Sequence, residues 1–344
     1  MRFFKFVVFL LFSCNTLFGQ QTYQFSQYYF NKFLYNPAFA GHDDFIDVKS
    51  GFRSQWNGIS SSNQSFYLSG TAALGKKDYT SDGPVPNISS FKPIAQQNST
   101  IRKSDFKPSS HQGIGLMITN DVWGPVTTLS ISASYAFHIP LGGEKKMSGG
   151  FSIGNYARSI DLSPNNFDVS NPNDILLNSE GKLRTSQNLI NLGFSYYDRD
   201  GYLGASALQP IMETYNYSTS MKDTTKTLSS FGSFPSVFIF HGSKRKILSD
   251  DWRIYADFLI KYININRVTA EGTLRARYKE NVWGGLSFRF KESIGLHAGF
   301  RLSSSLLVNY SYDFQNYVGP FTRSLTSNEI TLAYMFYWKE LKLK

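Results

Sequence analysis

Histidine is the side chain best able to move protons or hold a metal near neutral pH, and this chain has five: His42, His111, His138, His241 and His297. They are scattered, and none has a second ligand at the short spacing of a zinc site. Cys14 is the single cysteine. No Ser-His-Asp order, glycine-rich phosphate loop or separated carboxylate pair is legible, so the sequence predicts neither catalysis nor a metal or other cofactor. The polar residues that stand out instead lie two apart within apolar runs. Asp257 and Lys261 are one such set, and Glu271, Arg275 and Arg277 another. At that spacing they share one face of a strand, where their chemistry is mutual pairing. Arg53 has the same setting, on a face with Phe45, Asp47, Lys49, Gly51 and Gln55, and is expected to pair with a carboxylate. Lys244-Arg245-Lys246 is the one tight basic cluster in a chain of formal charge +10. It is expected in a turn, and nucleic acid is not expected as a partner of an exported protein.

The elements that must position these charges are strands. Leu129, Ile131, Ala133, Tyr135, Phe137 and Ile139 alternate with Ser130, Ser132, Ser134, Ala136 and His138, giving one apolar face and one small polar face. Comparable alternation predicts strands at 45–56, 65–74, 113–120, 129–139, 147–158, 188–197, 202–208, 235–242, 254–262, 268–277, 282–290, 293–301, 305–314 and 328–338. Beyond the N-terminus no stretch offers the roughly 20 apolar residues of a spanning helix, yet there are 30 Phe, 21 Tyr and 5 Trp. Aromatics without long apolar runs fit a transmembrane antiparallel β-barrel of about 14 strands, with its apolar face to lipid and its polar face to the lumen. A soluble β-sandwich or propeller is the alternative.

Residues 1–19 run from Arg2 and Lys5 through the apolar Phe6–Phe12 to Gly19, the pattern of a secretory signal peptide. Cleavage after Gly19 removes Cys14; a second reading takes Leu11-Phe12-Ser13-Cys14 as a lipoprotein box with Cys14 acylated. The mature chain then divides into an N-terminal periplasmic segment at 20–44, an outer-membrane barrel at 45–338 and a tail at 339–344. With both termini periplasmic, the connections 159–187, 209–234 and 315–327 fall outside and the short turns inside. The exception is a polar insert at 75–112, placed on the periplasmic side. There Lys76, Lys77, Lys92, Arg102, Lys103 and Lys107 outnumber Asp78, Asp82 and Asp105. An excess of that sign suits docking to an acidic partner surface; the alternative is a solvated insert with no partner.

Asn36-Pro37 followed by Gly41 is turn chemistry. It is read as tucking the N-terminus beside or inside the barrel mouth, or as contacting a partner. Asn120-Asp121 with Gly124-Pro125 reads as an external hairpin turn, and Trp56, on the lipid face with Ile46, Val48 and Phe52, as an interfacial girdle residue.

These motifs carry a resemblance. Phe25-Ser26-Gln27-Tyr28-Tyr29-Phe30-Asn31, Tyr35-Asn36-Pro37-Ala38-Phe39-Ala40-Gly41, Arg53-Ser54-Gln55-Trp56-Asn57-Gly58, Asn120-Asp121-Val122-Trp123-Gly124-Pro125, Tyr310-Ser311-Tyr312-Asp313-Phe314 and Ser327-Asn328-Glu329-Ile330 together resemble the PorP/SprF family. These are outer-membrane proteins of the type IX secretion and gliding motility machinery of Bacteroidetes. Asn328 stands where the family usually has His, and the 75–112 insert is longer than the family's connection. The resemblance implies a non-enzymatic barrel that anchors or assists surface display of secreted proteins. The implied partners are the periplasmic ring or peptidoglycan-binding components, the C-terminal domain of a secreted adhesin, and outer-membrane lipid. Asn36, Pro37, Gly41, Arg53, Trp56, Asn120, Asp121, Gly124, Pro125, Asp313 and Glu329 are its candidate site residues. The rivals are a passive porin or small-solute channel, which would show steady conductance, and a lipid-modifying enzyme with an activated nucleophile at the outer rim.

Overall fold

A computed structural model describes residues 24–57, 63–76, 109–161, 182–210, 217–220, 225–228, 236–263, 267–315 and 325–337. The signal at 1–19, most of the 75–112 insert and the tail at 339–344 lie outside the described residues. The alternation emerges as strands β1 (Ile46–Asn57), β2 (Asn63–Leu74), β3 (His111–Trp123), β4 (Val126–Gly142), β5 (Lys145–Asp161), β6 (Lys182–Tyr197) and β7 (Gly201–Leu208). After a small hairpin, β8 (Tyr217–Ser220) and β9 (Thr225–Leu228), come β10 (Val237–Ile247), β11 (Trp252–Ile263), β12 (Arg267–Tyr278), β13 (Val282–Arg289), β14 (Ser293–Arg301), β15 (Leu306–Gln315) and β16 (Leu325–Phe336). Apart from the hairpin, which hangs on β6 through Arg184 and Ser218, each strand pairs with its neighbour antiparallel. The β1–β16 and β5–β6 ladders close the circle. The result is a closed 14-stranded antiparallel barrel, with every predicted strand in it.

Burial follows the period of two. Leu116, Ile131, Val268, Leu274 and Leu286 are at least half exposed, whereas Ser130, Ser132, Asp257, Lys261 and Glu271 are buried. Apolar residues outside and charges inside invert a water-soluble protein, and they suit a sheet whose outer solvent is hydrocarbon.

β1 starts where β16 ends, with Ile46 opposite Phe336. We call this the near end and its opposite the far end. The segment expected as periplasmic, 20–44, is placed otherwise from Gln24 on. It lies inside the barrel, with Tyr28, Asn36, Ala38 and Ala40 wholly buried. The apolar core of the molecule is this plug packed against the wall. It descends from the far half, where Gln24 Nε2 donates to Glu271 (3.1 Å), to the near end, where His138 Nε2 meets Ala40 O (2.8 Å).

Candidate functional site

The plug is seated by three sets of contacts. In the far half, Arg53 on β1 is about 1% exposed and donates to Asp313 (2.6 Å), Glu329 (3.1 Å) and the plug's Ser26 (2.7 Å). The Ser26 and Gln27 backbone amides donate to Glu329 (2.7 and 3.2 Å), and the Ser26 hydroxyl donates to Asp313. Arg289 adds contacts to Ser26 (3.1 Å) and Glu271 (2.9 Å). A buried charge is tolerated only when paired and hydrogen-bonded, and here the plug backbone completes the pairing. Below this cluster, Arg275 is held by Asp257 (2.7 and 3.0 Å) and lies 3.8 Å from the centre of the Tyr29 ring.

The second set centres on Asn36. Its Oδ1 accepts from Ala38 N (2.9 Å), capping the 3-10 turn Pro37–Phe39, and its Nδ2 donates to Phe194 O (2.9 Å) and Ala205 O (3.3 Å). Those carbonyls belong to register partners on β6 and β7. Inward glycines make the room. A Cβ on Gly193 would sit 2.0 Å from Asn36 Oδ1, one on Gly150 2.7 Å from Ala38 N and Pro37 O, and one on Gly113 1.9 Å from Ala40 O. Gly41 has φ +67° and packs on Gly113, where a side chain would be both strained and overlapped.

The third set is histidine. His111 and His138 stack with centroids 4.3 Å apart, and their Nε2 atoms face Gly41 O (3.1 Å) and Ala40 O (2.8 Å). A carbonyl only accepts, so each Nε2 carries the proton, and His138 Nδ1 accepts from Tyr197 OH (2.8 Å). Among the described residues no three His, Cys, Asp or Glu side chains are grouped to hold a metal ion. Within the plug, burial and the nearby Lys32 push His42 down to about 3. Burial likewise pushes Lys32 down to about 8. The Lys32 ammonium has no hydrogen-bond acceptor among the described residues and lies 5.2 Å from the centres of the Phe39 and Tyr202 rings.

The site residues read from the sequence thus fall into two groups. Asn36, Pro37, Gly41, Arg53, Asp313 and Glu329 converge on the plug, and Trp56, Asn120, Asp121, Gly124 and Pro125 do not. Trp56 departs from the girdle reading. A bulge between Gln55 and Asn57 gives it φ 62° and breaks the alternation, and its ring packs edge-on to Trp123, which has the inward register of β3. Asn120 and Asp121 lie within β3 rather than in the turn. Asp121 faces inward and accepts from Ser65, so only Gly124 (φ 55°) and Pro125 form the hairpin. Lys76, counted with the insert's basic residues, is buried against Asp44 and the His42 carbonyl. Sequence reasoning missed the wall glycines and Ser148, Ser206, His111 and His138 as plug contacts. Glycines at inward strand positions were the available signal.

Above the plug, toward the far end, a cavity of about 350 Å³ remains. Its floor is Phe33–Pro37 and its walls come from β3 to β7, β10 and β11.

Among solved structures the fold resembles a Pseudomonas aeruginosa FadL homologue, at 10% identity and TM-score 0.50, covering 88% of this chain and 93% of that one. It also resembles the Pseudomonas putida toluene transporter TodX (10%, 0.45, covering 92% and 95%) and the translocator domain of the autotransporter NalP from Neisseria meningitidis (12%, 0.42, covering 85% and 88%). At these identities the likeness is one of fold. No curated protein matches the chain. The model of the type IX secretion system membrane protein PorP/SprF matches residues 17–334, a span that takes in the plug motifs and all but the last two residues of β16. With its inverted polarity, its closed barrel and this match, the chain belongs to the PorP/SprF family and is an outer-membrane β-barrel of the type IX secretion system.

Proposed function

We propose that the protein is a sealed, non-enzymatic anchor. Its barrel sits in the outer membrane, its near end faces the periplasm, and its far mouth holds the C-terminal domain of a secreted adhesin. Near-end turns, with the 75–112 insert, contact the periplasmic ring or peptidoglycan-binding components, and signal cleavage delivers the chain to this place. The observation that carries the reading is the plug. A lumen crossed by a polypeptide, with Arg53, Asp313 and Glu329 all about 1% exposed around it, is built to stay occupied. That disfavours the passive porin, which needs an open polar path.

Planar bilayer recordings on the purified barrel test this, with Gly150→Val as the control. The valine side chain enters space held by Pro37 and Ala38 and displaces the plug from a folded wall. Wild type is expected to be silent and the variant to conduct, and secretion components are expected to co-purify with wild type. Steady wild-type conductance without co-purifying machinery would establish the porin.

A further inference from the structure

The two sides of the lumen are used differently. Gln24–Phe30 take the far half against β1 and β12 to β16, whereas the cavity opens against β3 to β7. β4 turns Thr128, Ser130, Ser132 and Ser134 into that cavity. Each is more than nine-tenths buried, and none of the four hydroxyls has a hydrogen-bond partner among the described residues. Leu34, Leu208, Val237 and Ile239 line the other side. Their oxygens open onto the cavity rather than being sealed off from it, and four in line make a ladder of donors beside an apolar surface.

The plug shows what such serines do when occupied. On β5 and β7, inward Ser148 donates to Ala38 O (2.7 Å) and inward Ser206 donates to Tyr35 O (2.6 Å). Wall hydroxyls therefore hold a polypeptide by its backbone carbonyls in this lumen. The vacant ladder repeats every second residue, about 6.8 Å, which is also the repeat of carbonyls along one side of an extended chain. The hydrocarbon of an acyl chain offers no acceptors along its length. Trp123, Val126, Arg158 and Gln209 also line the cavity and lie at or near the far ends of their strands, so the entrance is the far mouth.

We propose that this cavity binds one extended polypeptide segment of a partner protein. The segment enters from the far mouth and lies along β4, with its carbonyls on the ladder and alternate side chains on the apolar side. The inference rests on the anchoring reading, which supplies the partner, and adds where and how the partner is gripped.

The test places an alkyl-diazirine amino acid at position 130, 132 or 134 of the full-length protein in cells, irradiates, and sequences the adducts by mass spectrometry. The expected result is one peptide of one partner, with the adduct site moving by two residues at each step. The same probe at position 148 should label only the plug near Ala38. A triple Ser130→Ala, Ser132→Ala, Ser134→Ala barrel that remains heat-modifiable should recover the partner at least about tenfold less well, since three hydrogen bonds to it are lost. Adducts to lipid, to other segments of this chain, to unrelated proteins at random or to nothing overturn the proposal, as does undiminished recovery by the triple variant. If secretion components still co-purify with a silent barrel in those cases, docking alone has failed. If they do not, the anchoring reading has failed with it.

Discussion

Replacing Arg53 by Met removes a guanidinium that donates to Asp313, Glu329 and Ser26 at 2.6–3.1 Å. The two carboxylates left behind are each about 1% exposed. Breaking a buried pair by deleting one partner costs about 3–5 kcal/mol, because a charge is left without compensation. Arg289, which holds Glu271 and Ser26, offsets part of this for Asp313 and little for Glu329. A destabilisation near 3 kcal/mol is therefore expected, read as a lowered midpoint of denaturant unfolding in detergent micelles. Proteolysis within Phe25–Asn31 should become measurable at denaturant concentrations where the wall is still folded, because the plug loses its seat first. Adding Glu329→Gln removes the stranded charge and should restore more than half of the loss. A shift below about 1 kcal/mol for Arg53→Met, or no recovery in the double variant, would refute the claim that this cluster seats the plug.

Three further outcomes are expected. Boiled and unboiled protein should migrate differently on a detergent gel; equal mobility together with recovery in the soluble periplasmic fraction would defeat the barrel in the membrane. Mass spectrometry of the mature N-terminus should find Gln20 or Gln21 first, and an acylated Cys14 would replace cleavage after Gly19 with the lipoprotein reading. Lys32 is held at about 8 by burial, below the ordinary 10.5, so the cost of burying its charge is present below pH 8 and disappears as pH rises from 8 to 10.5. Wild type should gain up to about 3 kcal/mol across that window relative to Lys32→Met, and parallel stability curves for the two proteins would contradict it.

The barrel wall was legible because its signal is local. Residues two apart report one face, and so Ser130, Ser132 and Ser134, or Asp257, Glu271 and Arg275, could be placed inward from spacing alone. Trp56 was misplaced because a single positive φ resets that alternation, and nothing in Gln55-Trp56-Asn57 announces the bulge. Of the plug, only the tuck at Asn36-Pro37 and Gly41 was legible, because the contacts that seat it join Ser26 to Glu329 and Asn36 to Phe194, which no period connects. A further local trace of it exists: Gly113, Gly150 and Gly193 stand at inward positions where a lumen filled by side chains alone would favour larger residues. The division of the lumen follows from those glycines. They bring Asn36–Gly41 against β3, β5 and β6 in the near half, which occupies Ser148 while Ser130, Ser132 and Ser134 higher on β4 are left facing the cavity. Serines of one type in one barrel thus acquire different roles, structural where the glycines admit the plug and available for binding where they do not.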